Sequence, residues 1–374
     1  MPPFEQQILD LIQDAFPLVE RPYKALAEML NELAANCDSA KVVGEKCAKP
    51  VVSEQDVFEI VEHLRSSGVI RRIGGVYDSK KLGFISRLCA GKVPVSSLDF
   101  SAGPHEQTAM EKFAAVVNDV PAITHNYIRS HEYNVWFTVI AENEAAIQAI
   151  VDKLCAATDL RDVHVMSATR KFKINTVMKG GARDNSEGRK MRPTQMGMAD
   201  AAERHSDNRR LEESSEFRKS VDALSVSDRI RIHTACEDIP HSLAPFADWG
   251  VSCDELREDL ASKRMRRFGA ILRHQNAGFA FNAMVCFGVP PENVVAAGSL
   301  LSLNPHISHC YERSSFEGFP YNVYAMMHAN SAELLDQYVA DCVNALSRLQ
   351  STPVNYVVLR SVQELKKTSF KFFA

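Results

Sequence analysis

Two stretches of this chain repeat one another, in order, on either side of a segment that lacks the means to fold alone. Arg71-Arg72-Ile73-Gly74-Gly75-Val76 is answered by Arg266-Arg267-Phe268-Gly269-Ala270-Ile271, and Gly83-Phe84 by Gly278-Phe279. Ile123-Thr124-His125-Asn126-Tyr127-Ile128-Arg129-Ser130 is answered by Ile307-Ser308-His309-Cys310-Tyr311-Glu312-Arg313-Ser314. Tyr133-Asn134-Val135 then matches Tyr321-Asn322-Val323 after a short insertion. Self-similarity in a fixed order means two related structural units. Between them, residues 180–216 hold no aromatic or β-branched aliphatic residue and mix charges of both signs. Such a segment buries too little surface to offset chain entropy and reads as a flexible linker.

Each half begins helically. Phe4, Ile8, Leu11 and Ile12 share one helical face, Ala25 to Leu33 reads as a second helix after Pro22, and Ser53 with Asp56 caps a third that carries Val57, Ile60, Val61 and Leu64. A β-ribbon over 69–84 completes a winged helix-turn-helix, residues 1–84, with an insertion at about 34–51. The second half offers Ile230 and Ile232, a Ser252 cap with Glu255, and a ribbon over 266–279, giving a second winged-helix-like unit at 217–279. After each ribbon the pattern runs strand, helix, strand, strand, helix, strand, which is the ferredoxin-like βαββαβ order, over 85–179 and 280–374. The fold class is therefore α+β, a tandem repeat of both units. Such sheets leave one face uncovered, so the halves are expected to pair as an internal pseudo-dimer with a ligand cleft between them. A further homodimer is left open.

A chain of 374 residues supplies two to four compact units, and its hydrophobic fraction of 45% is ordinary for a globular protein. No run approaches the roughly 18 apolar residues of a membrane span, and the first residues carry no secretory pattern, so a cytoplasmic, non-membrane protein is expected. The nine cysteines are scattered singly with no C-x-x-C pair, and read as reduced thiols. The net charge of −4 argues against a dedicated nucleic-acid binder. So does the helix before each ribbon, which carries Glu54, Asp56, Glu59 and Glu62 in one half, and Asp254, Glu255, Glu258 and Asp259 against Arg257 in the other. Phosphates would repel such helices, so no DNA partner is expected.

Along a strand, alternate residues share a face, so His125, Tyr127 and Arg129 point one way, as do His309, Tyr311 and Arg313. Histidine exchanges protons near neutrality, tyrosine donates a hydrogen bond, and arginine grips a carboxylate with two prongs. That trio suits an anionic substrate undergoing protonation. A solvated face or an interface network would use the same residues, but two copies in register argue against it. Basic residues gather at the ribbons: Arg71 and Arg72, then Lys263, Arg264, Arg266, Arg267 and Arg273, with His274 close by. Polycarboxylates or phosphates are the expected ligands, and a DNA-contacting wing is the competing use of such a cluster. His274 aligns with Ser79, so the halves are not equivalent. His164 and His328 read as satisfied core or interface residues, and Lys171, Lys173, Lys366 and Lys367 as solvated charges, with reach to acidic ligand groups as the lesser alternative.

The segments Phe16-Pro17-Leu18-Val19-Glu20-Arg21-Pro22-Tyr23, Gly68-Val69-Ile70-Arg71-Arg72-Ile73-Gly74 and His125-Asn126-Tyr127 resemble the sirohaem decarboxylases, which are similar in fold to the Lrp/AsnC transcription regulators. So do Arg267-Phe268-Gly269-Ala270-Ile271-Leu272-Arg273-His274, His309-Cys310-Tyr311-Glu312-Arg313 and Pro320-Tyr321-Asn322-Val323. The likeness covers both halves except the linker, and the chain looks like a fusion of the two unlike subunits such enzymes normally have. The insertion near residues 34–51 and the lack of a second Phe16-to-Tyr23 segment depart from the pattern.

The resemblance implies a carboxy-lyase that removes CO2 from two acetate groups of sirohaem to give 12,18-didecarboxysirohaem in haem biosynthesis. It implies no cofactor beyond the iron of that substrate. His309 and His274 would be general acid and axial ligand of the substrate iron, in an order left open. Tyr311 and Arg313 would hold the reacting carboxylate or the ring edge, and Arg264, Arg266, Arg267, Arg273 and Arg72 the peripheral carboxylates. His125, Tyr127 and Arg129 would form a second or vestigial site. The alternatives are an Lrp/AsnC-type regulator sensing a small ligand or haem, and a non-catalytic haem carrier.

Overall fold

The computed structural model describes residues 2–38, 51–94, 108–174, 224–273, 281–368 and 370–373. The linker expected at 180–216 lies outside the described residues, as do His274 and the centre of the expected insertion.

The first half runs α1 (Pro3–Asp14), α2 (Pro22–Asp38), α3 (Glu54–Ser66), β1 (Ile70–Tyr77), β2 (Ile85–Gly91), α4 (Ala109–Asp119), β3 (Ile123–Arg129), β4 (Val135–Ala141), α5 (Glu144–Thr158), β5 (Val163–Met166) and β6 (Ala168–Ile174). The second runs α6 (Val226–Ala235), α7 (Pro245–Trp249), α8 (Cys253–Ala261), β7 (Met265–Leu272), β8 (Phe281–Gly288), α9 (Val294–Ser302), β9 (Ile307–Arg313), β10 (Val323–Ala329), α10 (Ala332–Gln350) and β11 (Asn355–Lys367). The Ser53 hydroxyl caps α3 by accepting from Asp56 N–H while the Asp56 carboxylate takes the Ser53 N–H, and α3 then buries Val57, Val61 and Leu64. The Ser252 hydroxyl caps α8 by accepting from Glu255 N–H.

Among the described residues, the ribbon expected inside each half does not form there. β1 instead pairs antiparallel with β7 of the other half, Gly74 standing opposite Gly269. The repeated Arg-Arg-x-Gly sequence explains the exchange. Arg72 donates to Glu237 O at 3.3 Å and to Gly75 O at 3.1 Å, while Arg267 donates to Gln13 O and to Ala270 O. Each arginine thus neutralises the carbonyl end of the other half's first helix, where the helix dipole is negative. The glycines let the strand approach that end: a Cβ on Gly74 would stand 2.4 Å from Glu237 O, and one on Gly269 would stand 2.5 Å from Ile12 O. Phe16 lies 6.3 Å from Phe246 and 6.4 Å from Phe268, so both helical modules share one hydrophobic core.

The remaining strands form one sheet in the order β5-β2-β4-β3-β11-β8-β10-β9-β6. Its two end strands, β5 and β6, are separated only by Ser167, so the sheet returns on itself as a barrel in which each half lends its last strand to the other. β6 pairs with β9, and the C-terminal part of β11 pairs with β3. Outside, the helices cover two apolar cores, one per half. Inside, Ala90, Trp136 and Met166 of the first half meet Met284, Cys286, Tyr324 and Leu359 of the second. The insertion between β9 and β10 drives Phe319 into this interior, 5.5 Å from Trp136 and fully buried.

Candidate functional site

Ile123 and Ile307 are fully buried in the helix-facing cores, and strict alternation would send His125 and His309 there too. The pairing slips at that point. Ile123 faces Val139 and His125 the adjacent Thr138; likewise Ile307 faces Met327 and His309 the adjacent Met326. Thr124 and Ser308 are therefore the extra residues of two β-bulges, and each bulge turns the triad after it to the barrel's inner face. There Tyr127 stands opposite Trp136, and Tyr311 opposite Tyr324. The expectation that each His-x-Tyr-x-Arg shares one face holds through the regular alternation after the bulge, and the bulge decides that this face is the inner one.

The bulged hydroxyls also hold the histidines. Thr124 Oγ1 lies 2.9 Å from His125 Nδ1, and Ser308 Oγ lies 2.9 Å from His309 Nδ1. Ser308 Oγ meets His328 Nε2 at 2.9 Å as well, which draws His328 into the second site. Reading the residues in isolation missed these partners; the signal was a hydroxyl residue before the histidine in both copies. Each arginine lies over its tyrosine, Arg129 at 5.1 Å and Arg313 at 4.8 Å from the ring centroid. Burial lowers the pKa of both guanidinium groups, Arg129 to about 10, and raises that of Tyr311.

The exchanged strands complete each triad from the other half. Arg129 donates to Leu359 O at 3.0 Å and to Ser361 Oγ at 3.2 Å, and the Tyr127 hydroxyl bonds to Glu364. Ser361 faces Arg129 and Glu364 faces Tyr127 in the register of β11 on β3. In the matching register of β6 on β9, Ala168 faces Arg313 and Lys171 faces Tyr311. Burial lowers the Lys171 pKa, against the pull of Asp78. Lys173 and Lys366, expected to be solvated, instead donate to carbonyls just past helix ends, at 2.6 Å to Asn304 O and 2.7 Å to Val120 O.

The basic residues expected as one ligand-binding set are divided. Arg72 and Arg267, expected to meet peripheral carboxylates, bond instead to the helix ends described above. Arg264 pairs with buried Asp259 at 3.1 Å and is structural too. Arg266 donates to Tyr77 O at 3.1 Å and is within electrostatic reach of Tyr311 and Lys171. Arg273 is exposed and falls on the other side, near Arg71, which in turn senses Tyr127 and Glu364. His164 pairs with Asp162 at 2.8 Å and stacks on Phe316, an interface role as expected.

A duplicated βαββαβ barrel with paired helical modules defines an AsnC-like class of protein. The model of the AsnC-like ligand binding domain matches residues 81–173 and 276–366, and that of the siroheme decarboxylase NirDL-like HTH domain matches residues 5–32. The chain is 26% identical to the siroheme decarboxylase of Hydrogenobacter thermophilus over 377 aligned residues, covering 98% of this chain and 94% of that one. It is 37% identical to the siroheme decarboxylase alpha subunit of Desulfovibrio desulfuricans over 174 residues, and 37% identical to the beta subunit of that organism over 147. Those alignments span 46% and 36% of this chain, and 82% and 88% of the two relatives. The crystal structure of the siroheme decarboxylase NirDL shares the fold, with a TM-score of 0.60 at 24% identity over 99% of this chain and 94% of that one. The same protein in complex with an iron-uroporphyrin III analogue gives 0.59 at 23% identity, over the same shares of the two chains. This chain belongs to the siroheme decarboxylase family.

Proposed function

We propose that this chain is a carboxy-lyase that removes CO2 from two acetate side chains of sirohaem, giving 12,18-didecarboxysirohaem in haem biosynthesis. The observation that carries the reading is the inward-facing His309-Tyr311-Arg313 triad. It lies on an apolar barrel interior, and among the described residues no protein anion pairs with Arg313. A guanidinium there fits a substrate carboxylate, and the apolar wall fits a macrocycle. A solved relative holds an iron-uroporphyrin III analogue, another polycarboxylate tetrapyrrole, which supports the same ligand class.

Each decarboxylation leaves the electrons of the broken C–C bond on the side-chain CH2, conjugated with the macrocycle, and a proton must then convert CH2 to CH3. His309, held through Nδ1 by Ser308, is positioned to serve as that acid or to meet the substrate iron, with His274 as its complement. A positioned acid contributes roughly 10² to 10⁴ in rate. Arg313 and Arg266 orient the carboxylate. The reaction needs no cofactor beyond the iron that the substrate carries. Seven cysteines, Cys89, Cys155, Cys236, Cys253, Cys286, Cys310 and Cys342, are free thiols, which supports a cytoplasmic setting, and among the described residues no helix is long and apolar enough to cross a membrane.

The regulator reading is not favoured. Arg65, the one arginine on α3, is nearly buried and turned to Asp238 at 3.4 Å, leaving an acidic exposed face. CO2 release from sirohaem under anaerobic conditions tests the proposal: His309→Ala is expected to slow it at least a hundredfold. An unchanged rate in that variant would refute the assigned role.

A further inference from the structure

The pseudo-symmetry of the barrel allows the two triads to be compared position by position, and they differ in how far the protein itself satisfies them. In the first, Arg129 is spent on Leu359 O and Ser361 Oγ, and Tyr127 on the Glu364 carboxylate. In the second, Ala168 replaces Ser361 and Lys171 replaces Glu364 at the same register positions. Neither the Arg313 guanidinium nor the Lys171 ammonium has a hydrogen bond or ion pair to a protein side chain or carbonyl among the described residues. Cross-strand neighbours project to the same face, so Lys171 shares the inner face with Tyr311 and Arg313.

Burying cations without a directly paired anion costs free energy; Asp78 acts on Lys171 only at longer range, whereas the first triad already carries a hydrogen-bonded carboxylate. Arg266 adds a third positive group beside Tyr311, against Asp78. Ser308 links His309 to His328 in the second site; in the first, Thr124 precedes His125, but the position matching His328 is Ile140.

We infer that the two sites are unequal: Lys171, lent by the first half, is a substrate-carboxylate-binding residue of the His309 triad, and Glu364 occupies the His125 triad as an internal stand-in for a substrate carboxylate. The reacting acetate is therefore held in the second site. This rests on the proposed decarboxylation, and names the half that performs it and the residue that selects for an anion.

The test exchanges the two charges in the full-length protein. Lys171→Glu copies a residue the fold already tolerates at the equivalent position, and Lys171→Arg keeps the charge. Sirohaem turnover is measured anaerobically, with iron uroporphyrin III binding followed by absorbance. Lys171→Glu is expected to raise KM and the analogue's Kd at least tenfold, Lys171→Arg to restore both to within threefold, and Glu364→Gln to change neither by more than threefold. A merely structural lysine would shift the melting temperature and leave the ratio of kcat to KM unchanged. Loss of turnover in Glu364→Gln with retention in Lys171→Glu would overturn the inference, and so would equal losses or no loss in both. Wild-type protein that binds the analogue but does not turn over sirohaem would sink the decarboxylation itself, an outcome distinct from these.

Discussion

Replacing Arg313 by methionine separates binding from folding in opposite directions. The guanidinium lies over the Tyr311 ring, its pKa is lowered by burial, and no protein carboxylate faces it among the described residues. Exchanging a poorly compensated buried ion for an apolar side chain of similar length is neutral to stabilising, by about 1–4 kcal/mol in well-buried cases. Arg313 keeps partial exposure, so the lower bound applies: a gain of about 1 kcal/mol, or roughly 2 °C in Tm. Binding moves the other way. Loss of one charge-assisted contact to a carboxylate costs about 1.5–3 kcal/mol, which is roughly 10- to 150-fold in Kd. Thermal melts of the unliganded protein and absorbance titration with iron uroporphyrin III read the two effects. Arg72→Met supplies the contrast, since it strands Glu237 O and Gly75 O and is expected to cost about 2–3 kcal/mol of stability with Kd unchanged. If Arg313→Met were destabilised like Arg72→Met, with Kd unaltered, the division between ligand-binding and structural arginines would be wrong.

Other consequences follow from named contacts. Gly269→Val forces a Cβ against the Ile12 carbonyl, a backbone atom of α1, so the urea midpoint should fall by an amount corresponding to about 1–3 kcal/mol; an unchanged midpoint would mean that β7 does not approach the end of α1 closely in solution. Ser308→Ala removes the hydroxyl that holds His309 and is expected to lower kcat about 5- to 10-fold with little change in KM, the worth of one hydrogen bond; a change confined to KM would assign Ser308 to binding. Lys171 loses its proton at lower pH than an ordinary lysine because of its burial, with Asp78 opposing and Arg266, Lys80 and Lys81 adding to the effect. A bound carboxylate favours the charged form, so affinity for the analogue should weaken as pH rises through that range, and Lys171→Gln should flatten the profile.

The strands and helices of the barrel were legible because their alternation and caps are local: the strand, helix, strand, strand, helix, strand order is observed in both halves, and Ser53 and Ser252 cap as expected. The triads were legible because they occur twice. What stayed hidden depends on partners far along the chain. β1 has the composition of a ribbon strand, and only packing shows that its partner is β7 of the other half. The roles of Thr124 and Ser308 depend on a register slip against β4 and β10, which no single strand announces. Lys171 and Glu364 sit on lent strands remote in sequence from the triads they complete, and the run of basic residues around 263–273 concealed that neighbours in sequence point to different sites, to one helix end and to a buried carboxylate.

The most direct test of the account is the mass of the tetrapyrrole recovered after purified protein is incubated anaerobically with sirohaem. Loss of two CO2 units, abolished by His309→Ala and retained by His125→Ala at a reduced rate or better, is the predicted result. Recovery of intact sirohaem from protein that binds it tightly would contradict decarboxylation and leave a carrier or sensor in its place.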